Sequence, residues 1–201
     1  MNFKVMYGTL LGDGNIQFYE NENYYAFNLS QSEKEYLIWK CNMCAVKYRY
    51  YYYRRFDKRT EKYYNVHVAR LIVDKKYKKL LYEKFYKPSK STITDEVLEF
   101  LSPLSIAIWY MDDGNLYYNG NNCHLTLSTQ NFDTKGRNRI IEYFKKNYNI
   151  NFKEINNGAI RLTSVKDTKI FMKMVEKYIP QCMKRKTLKY QLKKYYKNKK
   201  K

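Results

Sequence analysis

An apolar run, Asp-Gly-Asn and an aromatic strand are written twice in this chain of 201 residues. MYGTLLGDGNIQF fills residues 6–18 and AIWYMDDGNLYY fills residues 107–118. Asp13 and Asp113 stand 100 positions apart, and the text after each runs in parallel as far as Gln31 and Gln130, 99 positions apart. One Asp-Gly pair is an ordinary turn signal. A shared apolar lead, Asp-Gly-Asn and a strand ending in Gln, repeated at one spacing, point to an internal duplication. The chain is then two copies of one supersecondary unit, and whatever chemistry sits at Asp13 is repeated at Asp113.

Residues 3–12 are apolar but too short to persist as a free helix, so packing must hold them. Gly8 and Gly12, one helical turn apart, let a second helix approach closely along that face. The partner is residues 102–112, SPLSIAIWYMD, with Ser102 as N-cap and Pro103 as the first helical residue. It carries Ala107 but also bulky Ile108 and Met111, which makes the contact asymmetric. After each Asp-Gly the pattern changes to period two. In AFNLSQ, Phe27 and Leu29 oppose Ala26, Asn28 and Ser30; in HLTLSTQ, Leu125 and Leu127 oppose His124, Thr126 and Ser128. Helix-like segments follow at 32–45 and 134–147. Next come second strand pairs, KYRYYYYRRF with KYYNVHVARL, and FKEI with AIRLTS around a tight turn at Asn156-Asn157-Gly158. Helices at 74–86 and 166–178 close the halves. The fold class is thus α+β: two pseudo-symmetric αββαββα repeats at 1–87 and 102–188, joined by a linker at 88–101 and followed by a basic tail at 189–201, whose last stretch, KKYYKNKKK, is expected to fray. Strands with one apolar and one polar face form antiparallel sheets covered by helices on one side only.

The uncovered faces need a partner, and the charge names its class. Against 19 Asp and Glu stand 39 Lys and Arg, a net charge of +20. Such an excess repels itself in the compact state and favours a polyanion, nucleic acid first. A membrane surface is excluded as the main partner, because no apolar stretch is long enough to span and the basic segments lack a wide apolar face. MNFKVMYG enters the first repeat at once and leaves no room for a leader, so the protein is expected in the compartment where it is made. The polar faces carry Asn28, Ser30, Lys47, Arg49, Tyr51, Tyr53 and Arg55 in the first half, and Thr126, Ser128, Arg161 and Thr163 in the second. Basic and aromatic side chains interleaved in this way suit phosphates and bases. His67 and His124 alternate onto the same polar faces, where they meet nucleic acid or water rather than act as a general base.

Cys41 and Cys44 form a lone CxxC, with Cys123 and Cys182 isolated. A zinc site needs a second close pair, so these are read as buried thiols. Neither a Ser/His/Asp nor a Cys/His arrangement is present, and the 7 glycines form no phosphate loop.

YGTLLGDG and AIWYMDDG resemble the two signature helices of LAGLIDADG homing endonucleases in their single-chain form, and the resemblance covers nearly the whole chain. It implies a DNA-binding saddle of two sheets with the motif helices packed at the domain interface. It also implies a monomer that makes a double-strand break with short 3′ overhangs in a long double-stranded DNA site and promotes the mobility of a host intron or intein. Asp13 and Asp113 would bind divalent metal, Mg²⁺ with Mn²⁺ as substitute, one acid for each strand. Asp112 has no acidic counterpart, since Gly12 takes its place, and is read as a capping or supporting carboxylate. Gln31 and Gln130, ending the second strand of each half, would order solvent at the metals. A basic residue after the last helix would face the scissile phosphate. Lys90 fits in the first half; in the second, a gap-free alignment favours Arg185 over Lys184, while a one-residue shift favours Lys186. The same scaffold also serves intron-RNA maturases and non-cleaving regulators, and intact acids favour the nuclease. The expected location is the cytoplasm or nucleoid of a bacterium or phage-infected cell, or an organelle matrix.

Overall fold

The computed structural model describes every residue except Pro88, Lys90, Asn121, Lys200 and Lys201. The first half runs α1 (Phe3–Leu11), β1 (Gly14–Tyr19), β2 (Tyr24–Gln31), α2 (Lys34–Cys44), β3 (Tyr48–Asp57), β4 (Lys62–Leu71) and α3 (Lys75–Tyr86). A short helix, α4 (Asp95–Glu99), lies in the joint between the halves. The second half runs α5 (Pro103–Asp113), β5 (Gly114–Tyr118), β6 (Cys123–Leu127), α6 (Thr134–Tyr148), β7 (Lys153–Glu154), β8 (Ile160–Leu162) and α7 (Val165–Val175), and α8 (Leu188–Asn198) follows. Each half forms one antiparallel sheet of four strands, ordered β1-β2-β4-β3 and β5-β6-β8-β7. The α+β class and the repeated αββαββα order are those expected from the sequence.

The two motif helices pack against each other at the centre of the molecule. α5 starts as the sequence predicts: Ser102 Oγ accepts from Ser105 N, and Ser105 Oγ accepts from Ser102 N. α1 has no side-chain cap, and it persists because Val5 to Leu11 are all buried. The glycines set the spacing. A Cβ on Gly8 would lie 2.2 Å from the Ser105 carbonyl oxygen, and one on Gly12 would lie 2.5 Å from the Asp112 side chain. The asymmetry expected of this contact therefore takes a definite form, with glycine on α1 facing serine and aspartate on α5. Around it lie Phe27, Leu29, Leu37 and Leu81 of the first half and Trp109, Phe144, Phe171 and Leu125 of the second, all inaccessible to water. Cys41, Cys44 and Cys123 are buried as free thiols.

The register assigns the faces. Phe27 pairs with Leu71 and Leu29 with Ala69, so these four share the helix-covered face. Asn28 pairs with Arg70 and Ser30 with Val68 on the open face, where Arg49, Tyr51, Tyr53 and Arg55 also alternate. Arg70 donates to Asn28 Oδ1 at 3.1 Å and lies over the Tyr51 ring. In the second sheet Asn115, Thr126 and Arg161 share the open face, and Arg161 Nε donates to Thr126 Oγ1 at 3.1 Å. His124 also lies there, stacked on Tyr117.

Five expectations are corrected. His67 pairs with Gln31 and Tyr52 and shares the helix-side face with Ala69 and Leu71, not the polar one. The second hairpin of the second half is a stub of two and three residues, so Thr163 falls beyond β8, and Lys47 falls just before β3. β6 stops at Leu127, which leaves Gln130 exposed in a turn; Thr129 is the buried residue there, donating to Gly158 O at 2.8 Å. Leu188–Asn198 forms α8 where a frayed tail is expected, and its Tyr195 packs edge-on against Tyr118 of β5.

Gly8→Ala tests the interhelical spacing. Alanine is the better helix former by about 1 kcal/mol, yet the added methyl meets backbone, which cannot rotate away. We expect a net loss of about 1–3 kcal/mol in urea unfolding. A stabilised variant would mean that the helices do not touch there.

Candidate active site

α1 and α5 end side by side, and each delivers an aspartate where helix turns into strand. A cleft of about 120 Å³ between the halves is lined by Gly12, Asp13, Asp113, Ser128 and Asn131, among others. From Asp13 a wider groove of about 530 Å³ follows the open face of the first sheet past Ser30, Gln31, Arg55 and Tyr64. The pseudo-symmetry thus places the two acids at one centre and connects that centre to the open face.

The adjacent carboxylate, Asp112, occupies the space that Gly12 leaves. Lys40 Nζ, from α2, donates to both its oxygens at 2.7 and 2.8 Å, and neither side chain is exposed. Tyr36 OH donates to Asp112 Oδ1 at 2.8 Å, and Asp13 N donates to Oδ2 at 3.2 Å. Gln31 Nε2 bridges the two acids of opposite halves, 3.0 Å from Asp13 Oδ2 and 3.2 Å from Asp112 Oδ1. Asp112 is therefore fully engaged as a supporting carboxylate, while Asp13 and Asp113 are left facing the cleft.

The electrostatics follow from that division. Burial raises the Asp113 carboxyl to about 7, with Asp13 and Asp112 pushing in the same direction; the Trp109 indole, which faces it without a well-formed hydrogen bond, and Lys186 oppose the rise. Asp13 is also raised by burial and by Asp112, against the lowering effect of Lys40, Gln31 and Lys186. Two carboxylates short of positive charge make a site suited to a cation.

Of the three basic candidates after α7, the fold brings Lys186 to the acids. Its Nζ donates to Gly114 O, directly after Asp113, and its own carbonyl accepts from Tyr110 OH at 2.6 Å. Burial and Arg185 lower its pKa, while all three aspartates oppose that shift. Arg185 pairs with Glu33 at 2.6 Å, and Lys184 lies in a separate groove beside α8. Lys90 lies outside the described residues. Gln31 reaches Asp13 as the repeat implies, whereas Gln130 makes no hydrogen bond to either acid. Lys40 and Tyr36 were missed by sequence reasoning. A signal existed: Tyr36, Leu37, Lys40, Cys41 and Cys44 form the buried stripe of α2, and a lysine in such a stripe calls for a buried acid.

Removing one partner of a fully buried pair leaves an uncompensated charge, a loss of about 3–5 kcal/mol. Lys40→Met should reach that range in urea unfolding, and adding Asp112→Asn should recover part of it; simple additivity would dissolve the coupling. The second expectation concerns pH. Because the folded Asp113 value of about 7 lies above the ordinary 3.8, the native state holds a proton that the unfolded chain releases, so stability in chelator is full below about pH 4 and falls as pH rises through 7. Asp113→Asn should therefore melt higher than the parent above pH 7, each kcal/mol adding about 2–4 °C, and the gap should close at pH 4. A gap independent of pH would refute the raised acid.

The comparisons agree with this geometry. The LAGLIDADG DNA endonuclease family matches residues 3–174. Curated relatives include the cytochrome b mRNA maturase bI2 of Debaryomyces hansenii, 28% identical over 194 residues that cover 90% of this chain and 71% of that protein. The protein RecA of Mycolicibacterium chitae is 24% identical over 172 residues, 78% of this chain but only 38% of that protein. Among solved structures, the homing endonuclease I-WcaI bound to its DNA recognition sequence has a TM-score of 0.79 at 25% identity, covering 92% of this chain and 84% of that one. The N-terminal LAGLIDADG domain of DUF199/WhiA has a TM-score of 0.50 at 14% identity, over 86% and 80% of the two chains, a likeness of fold alone. Two pseudo-symmetric halves, paired motif helices and a match from residue 3 to residue 174 make this protein a member of the LAGLIDADG DNA endonuclease family.

Proposed function

We propose that the protein is a site-specific DNA endonuclease whose two halves each cut one strand of a long double-stranded site, leaving short 3′ overhangs and promoting the mobility of a host intron or intein. The observation that carries this reading is the convergence of Asp13 and Asp113, one from each repeat, on a cleft continuous with an open sheet face. The donor set fits a hard divalent cation, Mg²⁺ with Mn²⁺ as substitute: two carboxylates with raised pKa values face the cleft, and the third is already neutralised by Lys40. Asp13 and Asp113 would hold such an ion, which when bound would supply a water that ionises near neutral pH and positive charge for the leaving 3′ oxygen.

The chain's own groups do the rest. Gln31, fixed by Asp112, orients Asp13 and the solvent beside it. Lys186 presents a cation to the phosphate opposite Asp113, and Lys90 is proposed for the same task in the first half. Asn28, Ser30, Lys47, Arg49, Tyr51, Tyr53 and Arg55, with His124, Thr126, Ser128, Arg161 and Thr163, anchor phosphates and read base edges in the major groove. A single chain already supplies two half-sites, so a monomer serves a pseudo-palindromic site of roughly 20 base pairs. A second reading, assistance to intron RNA, is favoured by the similarity to the maturase bI2.

The test uses a supercoiled plasmid carrying the target. Asp13→Asn and Asp113→Asn should each abolish linearisation while the target is still retarded in a gel. Full linearisation by either variant would sink the assignment of one acid per strand.

A further inference from the structure

β3 and β4 pair over their whole length, Tyr48–Asp57 with Lys62–Leu71, but β2 covers β4 only from His67 to Leu71. The outer part of the hairpin, from Tyr53 to Val66, is therefore a two-stranded ribbon with both faces in water. One face carries Tyr53, Arg55 and Tyr64 and continues the open face of the sheet. The opposite face continues the helix side; its outer residues Tyr52, Arg54 and Phe56 are exposed, and it is lined with rings.

Those rings and cations form a ladder. Lys34 Nζ, at the start of α2, lies 5.5 Å from the Tyr50 ring. Tyr50 stacks on His67 and donates to or accepts from its Nδ1 at 2.7 Å. Tyr52 packs on His67 with centroids 5.1 Å apart and donates to Asn65 Oδ1. The Arg54 guanidinium lies 5.0 Å from the Tyr63 ring, which packs against Phe56, also at 5.0 Å. The cations and neighbouring rings cover only part of this row: Tyr52 is 51% exposed, Phe56 45% and Tyr63 61%. A contiguous row of exposed aromatic rings marks an interaction surface. Rings spaced between cations match unpaired bases on a phosphate chain, because every base offers a π-face and every linkage a charge. A duplex, whose bases are already stacked, cannot use the ring faces in this way.

We infer that this back face of the β3–β4 ribbon is a second nucleic-acid site that binds single-stranded RNA by stacking, separate from the open face proposed for duplex DNA. RNA is the occupant because unpaired loops are how RNA presents its bases to proteins; this choice, though not the surface, rests on the second reading above. The second half has no counterpart, since β7 and β8 end after two and three residues. One RNA strand per chain is expected.

The experiment measures anisotropy of a labelled, unstructured RNA of about 15 nucleotides with the full chain, first alone and then saturated with target duplex. The RNA should bind in both states. Tyr63→Ala and Phe56→Ala should each weaken it about tenfold, as loss of one stacking ring does, with duplex affinity and the unfolding curve unchanged. Tyr63→Trp should restore RNA binding. Displacement of the RNA by duplex, or equal weakening of RNA and duplex in the alanine variants, would overturn the inference by merging the two faces. RNA binding unchanged in both variants would remove the ribbon and leave the RNA reading intact, whereas no RNA binding at all would remove both. A single-stranded DNA of the same sequence that binds as tightly would overturn the assignment of RNA as the occupant.

Discussion

Asp112 is the group on which the rest of the centre depends. It stands on α5 of the second half, but every partner that fixes it belongs to the first: Lys40 and Tyr36 of α2, Gln31 of β2 and the backbone of Asp13. Gly12 is what lets it fit, since a Cβ there would fall 2.5 Å from its carboxylate. A buried ion pair is weak evidence for stability, because desolvation offsets most of its attraction. Its effect here is on register. Sliding α1 along α5 by one turn would carry Asp112 away from Tyr36, Gln31 and Lys40 and strand Lys40 in an apolar core, so the pair favours one alignment of the two halves, the one that brings Asp13 beside Asp113.

The same pair breaks the symmetry that the duplication began with. One hundred positions after Tyr36 and Lys40 stand Gly136 and Ile140, and the place of Asp112 in the first motif is Gly12. Gly136 accommodates Ile93 and the Asp133 cap at close range, and Ile140 is fully buried. Asp13 therefore has a buried ammonium and an amide among its neighbours, while Asp113 has Trp109 and Lys186. The sheets diverge as well, with a hairpin of two ten-residue strands on one side and a stub on the other. A single chain is free to do this, because each copy drifts alone, and unequal half-sites are the expected consequence.

What could be read from the sequence rests on local pattern. The repeat, the one-sided strands, the Ser102 cap and the glycine face of α1 each depend on residues a few positions apart, where propensity and periodicity act. The misses share a different cause. Lys40 is explained only by an acid 72 positions away. His67 was placed on the wrong face because Val66 and Val68 mimic a core alternation, whereas the burial of Ala69 and Leu71 sets the true phase. Gln130 failed because β6 is shorter than β2, so an equivalent position in sequence is not equivalent in space. The tail reads as frayed by composition, yet Tyr195 packs on Tyr118, Thr187 caps the helix and Gln191 Nε2 donates to Arg185 O, contacts that composition does not reveal.

The placement of charge completes the argument. A chain with a net charge of +20 keeps its three central acids together, so a phosphate backbone drawn in by the long-range field would meet local repulsion there. Lys40 cancels only one of the three charges, and it is buried where no phosphate can reach it. Lys186 is held to Gly114 at the rim. On the proposed reading, the basic surface would hold a polyanion without help, while the centre would accept its phosphates only when positive charge arrives with them. On that reading binding and reaction would be separated within one surface: the sheets would govern the first through charge and contact, and the balance of Asp13 and Asp113 against Lys186 would govern the second.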